Sequence, residues 1–149
     1  IYLGRNLSYS TDKSEGYSPF YEKPTLKSVT IGNNVTSIGD YAFYGCTGLT
    51  SITIPNSVTI IEHSAFYNCS GLKTVYNFSN ITLTKGSTNY GYIAYYADKL
   101  INAPNGSVEG DFVFSKISGV NTLTEYLGSD TAIILPDNCK GENYVIAKI

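Results

Sequence analysis

Three cysteines and one histidine are the residues of this 149-residue chain best suited to covalent or metal chemistry. A structural zinc site takes four Cys or His ligands, typically in close pairs such as Cys-x-x-Cys. Cys46, Cys69 and Cys139 have no such spacing, and His63 stands alone. A Ser-His-Asp triad would have to use His63, and no Gly-x-Ser-x-Gly elbow is present. Asp40, Glu62, Glu109, Asp111 and Glu125 are scattered, with no pairing suited to general acid–base work. Neither a phosphate loop nor a dinucleotide fingerprint occurs. The expectation is a protein that is not an enzyme, with no catalytic residues, no metal and no cofactor.

The composition points the same way. Charged residues make up 15% of the chain, against about 25% in ordinary globular domains. Polarity comes from 16 Ser, 15 Thr and 13 Asn, joined by 14 Tyr. Net charge is −2 and there is no basic block, so nucleic acid and anionic membrane are poor partners. No apolar run reaches the roughly 18 residues of a membrane span, so no direct membrane insertion is expected. There is no Met. Ile1-Tyr2-Leu3-Gly4 reads as a strand entered midway, and Tyr144 to Ile149 as one left midway. The chain is expected to be a piece of a longer protein.

What must position these side chains is a repeat. Leu26, Leu49 and Leu72 are 23 residues apart. The same step carries Phe20 to Phe43 to Phe66, Tyr21 to Tyr44 to Tyr67, Val29 to Ile52 to Val75, and Cys46 to Cys69. A period of 23 lies within the roughly 20–29 residues of leucine-rich repeats. In Ser51-Ile52-Thr53-Ile54, apolar and hydroxyl residues alternate as in a strand with one buried face. Pro55-Asn56 turns the chain, and Val58 and Ile61 point inward again as a second short strand. Ser64 to Cys69 fits one helical or 3-10 turn with Ala65, Phe66 and Cys69 inward, and Asp40 is placed to cap its equivalent one coil earlier. One coil cannot bury its apolar face alone, but stacked coils share a continuous core. The expected fold is a β-rich leucine-rich-repeat solenoid with a structural ladder of Leu26, Leu49, Leu72, Phe20, Phe43, Phe66, Cys46 and Cys69. At strand spacing Cys46 and Cys69 are within reach of a disulfide, but two buried free thiols are the preferred reading.

The pattern Leu49-x-x-Ile52-x-Ile54-Pro55-Asn56-Ser57-Val58-x-x-Ile61-x-x-x-Ala65-Phe66-x-x-Cys69 resembles the repeat of BspA-like (Treponema pallidum-type) leucine-rich-repeat surface proteins. The resemblance is specific over residues 26–76 and degenerate over 1–25, where Pro19-Phe20 stands in for Ala-Phe. It implies a bacterial cell-surface or secreted protein and a role in adhesion to host matrix proteins or other cells.

A third Ala-Phe is due at Thr88-Asn89 and is absent. Asn89 to Ala97 reads instead as a strand with Tyr90, Tyr92 and Tyr96 on one face and Ile93 and Tyr95 on the other. Pro104-Asn105-Gly106 marks a turn, and the runs on either side of Ser118-Gly119-Val120 read as a β-hairpin. Ala132 to Pro136 matches Ser51 to Pro55, and Val145-Ile146 takes the inward place of Val58 to Ile61. The expected organisation is a degenerate first coil over 1–25 and, over 26–76, two regular repeats with the start of a third. A β-rich hairpin insertion over 77–131 and a partial repeat over 132–149 follow. The insertion also resembles β-hairpin units that interrupt repeats in gut-bacterial members of the family.

Two surfaces are candidates for binding an extracellular protein or glycan. One is the outward strand face, Ser28, Thr30, Ser51, Thr53, Thr74 and Tyr76, of the kind solenoids offer to partners. The other is the face carrying Tyr90, Tyr92 and Tyr96, whose rings combine contact area with a polar tip. Those Tyr also fit a role in covering the insertion's own core. The alternative to an adhesin-like module is a structural spacer that presents other domains of a larger surface protein.

Overall fold

Alternation of inward Ile and Val with outward Ser and Thr builds the main sheet. The computed structural model describes residues 1–6, 18–128 and 142–146. The chain divides into two units, Ile1–Asn102 and Ala103–Ile149.

In the first unit, β1 (Tyr2–Leu3), β2 (Thr30–Ile31), β4 (Ser51–Ile54), β6 (Thr74–Asn77) and β7 (Lys99–Asn102) lie side by side in one sheet. Every neighbouring pair is parallel. Each coil contributes one strand, which makes the unit a β-solenoid. The predicted second strand is also present. Here β3 (Ser37–Ile38) pairs in parallel with β5 (Ile60–Ile61), so this side carries the 23-residue step too, from Ser37 to Ile60.

The third side of each coil is a turn, not the helical or 3-10 segment expected at Ser64 to Cys69. Tyr41 and Ser64 are left-handed (φ 52° and 55°), as are Glu22, Gly45 and Asn68 (φ 50°, 69° and 58°). Left-handed residues break a right-handed helix, so Asp40 has no helix to cap. The reversals aim backbone groups along the stacking direction. Tyr41 N–H donates to His63 O (3.2 Å), Phe43 N–H to Ala65 O (2.7 Å) and Gly45 N–H to Tyr67 O (2.9 Å). A helix would keep these bonds to itself; the turn uses them to tie coil to coil.

The core runs through the coils without interruption. Leu26, Leu49 and Leu72 are buried in one cluster with Phe43, Phe66, Cys46 and Cys69, and Phe20 packs against it. The phenylalanine rings stack in order, Phe20 on Phe43 at 5.5 Å and Phe43 on Phe66 at 5.2 Å between centroids.

The solenoid does not stop at residue 76. Ser51 pairs with Thr74, 23 residues on, and Thr74 pairs with Lys99, 25 residues on. The segment expected as a strand over 89–97 is the turn of this longer coil. It contains a single 3-10 segment, Tyr90–Tyr92, followed by further turns. Phe66 N–H donates to Gly91 O (2.7 Å), which continues the bond from Phe43 to Ala65. Gly91 therefore stands where Ala42 and Ala65 stand, and Ile93 and Ala94 fill the core beside it. Residues 77–102 are thus solenoid, not insertion. The inward Ile31 and Ile54 give way to Asn77 and Asn102 on the same row.

In the second unit, β8 (Ser107–Glu109), β9 (Phe112–Ile117) and β10 (Val120–Tyr126) form an antiparallel sheet. The predicted β9–β10 hairpin closes through Ser118-Gly119, both left-handed (φ 51° and 82°), as a two-residue hairpin turn of the favoured hand requires. Phe114 and Leu123 form its small core, and Phe114 meets Tyr144 edge-on at 5.0 Å. β11 (Val145–Ile146) pairs in parallel with β10. Val145 and Ile146 are 52% and 56% exposed, so they do not take the inward place expected of them. The match to the strand repeat over 132–136 lies outside the described residues.

Candidate functional site

The register of the parallel sheet fixes the outward rows. Tyr2, Thr30, Thr53, Tyr76 and Ile101 share one row, and Ser51, Thr74 and Lys99 share another. Ser28, Thr30, Ser51 and Thr53 are exposed, while Thr74 and Tyr76 are half-buried. Five of the six strand-face positions singled out from the sequence therefore lie on these rows, and Ser28 lies just before β2, outside the paired strands. Tyr2, Lys99 and Ile101 extend the rows, and a fixed step of 23 could not find the last two.

A second surface follows the turns. Tyr21 stacks on Tyr44 (4.8 Å, 7° between planes), and Tyr44 on Tyr67 (5.3 Å, 19°). In the longer coil the rings cross instead. Tyr67 meets Tyr92 at 4.9 Å and 86°, Tyr92 meets Tyr95 at 5.6 Å and 64°, and Tyr95 meets Tyr96 at 4.9 Å and 85°. Tyr92 and Tyr96 are thus brought together, but through Tyr95, which the strand reading had placed on the opposite face. Tyr90 is exposed at the start of the same turn. Tyr76 belongs to the sheet rows. The column of Tyr21, Tyr44 and Tyr67 was not picked out as a surface from the sequence, although its step of 23 was visible.

The ionisable groups around the column are few. Tyr96 holds its proton above the ordinary tyrosine range because burial disfavours the phenolate, and Tyr95, Tyr67 and Cys69 add to the effect. Lys73 Nζ donates to Tyr96 O (3.4 Å) and Lys85 Nζ to Asp98 O (3.0 Å). His63 is exposed and meets Tyr41 edge-on at 5.8 Å.

Cys46 and Cys69 are buried free thiols. Each donates to the carbonyl oxygen of a ladder phenylalanine, Cys46 Sγ to Phe20 O and Cys69 Sγ to Phe43 O, both at 3.0 Å. Burial pushes the Cys46 thiol up, and it pushes the Cys69 thiol up to about 12, with Cys46 contributing. A nucleophilic or metal-binding cysteine acts as thiolate, and these two stay protonated. Cys139 lies outside the described residues. Among the described residues, no group of three or more His, Cys, Asp or Glu side chains is arranged to hold a metal ion. Within them no helix is long and apolar enough to cross a membrane.

Six copies of the BspA type leucine rich repeat region match residues 13–124. No curated protein matches the chain, and no solved structure does.

Proposed function

The chain belongs to the BspA-type leucine-rich-repeat family, whose members are often surface-associated repeat proteins, and from that premise we propose that it is a non-catalytic, adhesin-like binding module at the bacterial surface or secreted from it. Its partner is an extracellular protein or glycan. The observation that carries this reading is the continuous outward surface of the five-stranded sheet, centred on Thr30, Thr53 and Tyr76. Parallel pairing holds these side chains in straight rows, so a partner meets a pre-ordered face and little side-chain ordering opposes binding. The face is hydroxyl-rich and carries few charges, which suits neutral contact over electrostatic capture. In the same reading the hairpin unit is an insertion between two stretches of repeats.

The test is an array of host matrix proteins and glycans probed with the purified chain, followed by the double variant Thr53→Arg, Tyr76→Ala. Both positions face outward, so the circular dichroism spectrum should not change. Affinity for the captured partner should fall at least about tenfold, the loss expected when a central aromatic anchor is truncated. An array with no binder, or unaltered binding by the folded double variant, would favour the spacer that presents other domains.

A further inference from the structure

We propose that the crossed tyrosines Tyr92, Tyr95 and Tyr96 of the longer coil, with Tyr67 of the coil before it, form a subsite for a neutral sugar, in which ring faces pack on the C–H face of a pyranose and phenol hydroxyls bond to its rim. This rests on the binding-module reading and names a ligand class for a second surface of the same unit.

Ring orientation carries the argument. Where Tyr21, Tyr44 and Tyr67 stack, the planes are nearly parallel, so in each pair both rings have the face between them covered. Beyond Tyr67 every contact is crossed, at 64° to 86°. In an edge-to-face contact only one of the two rings has a face covered. The crossed cluster therefore offers ring faces that the stack does not, and Tyr67 and Tyr95 are 40% and 43% exposed.

The chain departs from its repeat at the point where these rings are placed. In the regular coils the position before the ladder leucine is Gly48 or Gly71. A Cβ there would collide with the carbonyl oxygen of Pro24 or Thr47 in the preceding coil. The register of β6 on β7 puts Tyr96 at that position in the longer coil. Tyr90 repeats the left-handed backbone of Tyr41 and Ser64, but the turn also holds Tyr92 left-handed, at φ 66°, where the regular coils carry Phe43 and Phe66, an arrangement unusual for a bulky residue and a pointer to function where it is seen. Two extra residues, a lost glycine and a left-handed Tyr92 accompany four Tyr within Tyr90 to Tyr96.

The chemistry selects the ligand. Apart from Ile93 and Ala94, which are buried in the core, the side chains of this turn that reach the surface from Tyr90 to Tyr96 are all tyrosine. The cluster itself carries no fixed charge, and the nearby Lys73 and Lys85 ammonium groups are engaged with backbone carbonyls. Apolar faces rimmed by neutral hydroxyls complement a neutral pyranose, which has the same two features.

The test is saturation-transfer NMR and calorimetry on the whole chain. The probes are glucose, galactose and mannose hexaoses, with a heparin hexasaccharide as the charged control. At least one neutral hexaose should bind with saturation strongest on its ring C–H protons. Tyr95→Ala and Tyr96→Ala should each weaken it about tenfold, roughly one lost aromatic contact. Tyr95→Phe should keep most of the affinity, and Tyr21→Ala in the stacked column should leave it unchanged. Unaltered near-ultraviolet dichroism of Tyr95→Phe guards against misfolding. Binding of no neutral hexaose, binding of heparin alone, or neutral binding that survives both alanine variants would overturn the subsite. If the array still captures a protein partner while no hexaose binds, the sugar subsite fails and the binding-module reading stands.

Discussion

The 23-residue coil from Leu49 to Gly71 and the 25-residue coil from Leu72 to Tyr96 share a strand register and little else. Both strands pair in parallel with their neighbours over four residues, so the sheet side of the solenoid is unaffected by the change in length. The turn side absorbs it. In the shorter coil, Ala65-Phe66 seals the core and the rings stack face to face. In the longer one, Gly91, Ile93 and Ala94 seal it and the rings cross. Strand spacing is set by backbone hydrogen bonds common to every sequence, whereas a turn is held by its own side chains and is free to differ. In this chain the constant side and the variable side are the two candidate binding surfaces.

The comparison is sharpened most by removing the ring that seals the shorter coil. Phe66 is fully buried and stacks on Phe43. Phe66→Ala should cost about 3–5 kcal/mol, the range for emptying a phenylalanine site that cannot collapse. Tyr92, which follows Gly91 as Phe66 follows Ala65, is half-buried, so Tyr92→Ala should cost clearly less. Urea unfolding of the two variants measures the difference. Equal losses would mean that the longer coil seals its core by the same ring.

Titration separates the coils next. The Cys69 thiol belongs to the shorter coil and is pushed up from 9.0 to about 12, first by burial. Between those pH values the unfolded chain releases a proton that the folded chain keeps. Stability from this group is therefore complete below pH 9.0 and is lost as pH rises toward about 12. The full loss approaches about 4 kcal/mol, from the free energy of one pKa unit. Tyr96, in the longer coil, titrates in the same sense, with its stability contribution lost above its ordinary value of 10.0. Denaturant midpoints should hold up to about pH 9 and fall as pH rises toward about 12, and because the Cys46 thiol is pushed up in the same sense, Cys69→Ala should remove about half of the thiol contribution to the slope just above pH 9. An unchanged slope in that variant would place the alkaline weakness elsewhere.

How much of this was legible in the sequence follows from the same contrast. Parallel stacking converts a fixed step into a column, so Leu26, Leu49 and Leu72, the three phenylalanines and the outward Ser and Thr could be placed by counting. The Ser118-Gly119 hairpin was legible from turn chemistry. Counting fails where the step becomes 25. Tyr90 to Tyr96 alternates like a strand, and period alone cannot distinguish that from a turn that happens to space its rings. The helical reading of Ser64 to Cys69 failed because Tyr41 and Ser64 adopt left-handed backbone, which their residue types do not announce. The inward reading of Val145 and Ile146 failed because β10, not a solenoid strand, is their neighbour. Ring angle, which separates the stacked from the crossed tyrosines, is not encoded in spacing at all.

The smallest of these effects concerns how the solenoid passes from an apolar row to a polar one. Ile31 and Ile54 are followed on the same row by Asn77 and Asn102. A bare amide at the fully buried Asn77 would be destabilising, but every group it offers is used. Asn77 Nδ2 donates to Ile81 O (2.6 Å) and to Asn102 Oδ1 (2.7 Å), while Asn77 Oδ1 accepts from Ser79 Oγ (2.6 Å) and Ser79 N–H (3.2 Å). Asn102 Nδ2 in turn donates to Leu83 O (3.0 Å). These bonds fold the longer 78–83 loop back onto the strand, a task no side chain at Ile54 has to perform. Asn77→Ala should cost about 2–3 kcal/mol by leaving buried groups unpaired. Asn77→Ile, which restores the residue of the shorter coil, should be no better, because the orphaned Ser79 hydroxyl and Ile81 carbonyl remain. Hydrogen exchange should show faster exchange at Ser79 and Ile81 in both variants. If Asn77→Ile instead matched the parent in urea, the polar row would be an incidental substitution, and the longer coil would owe its shape to the turn alone.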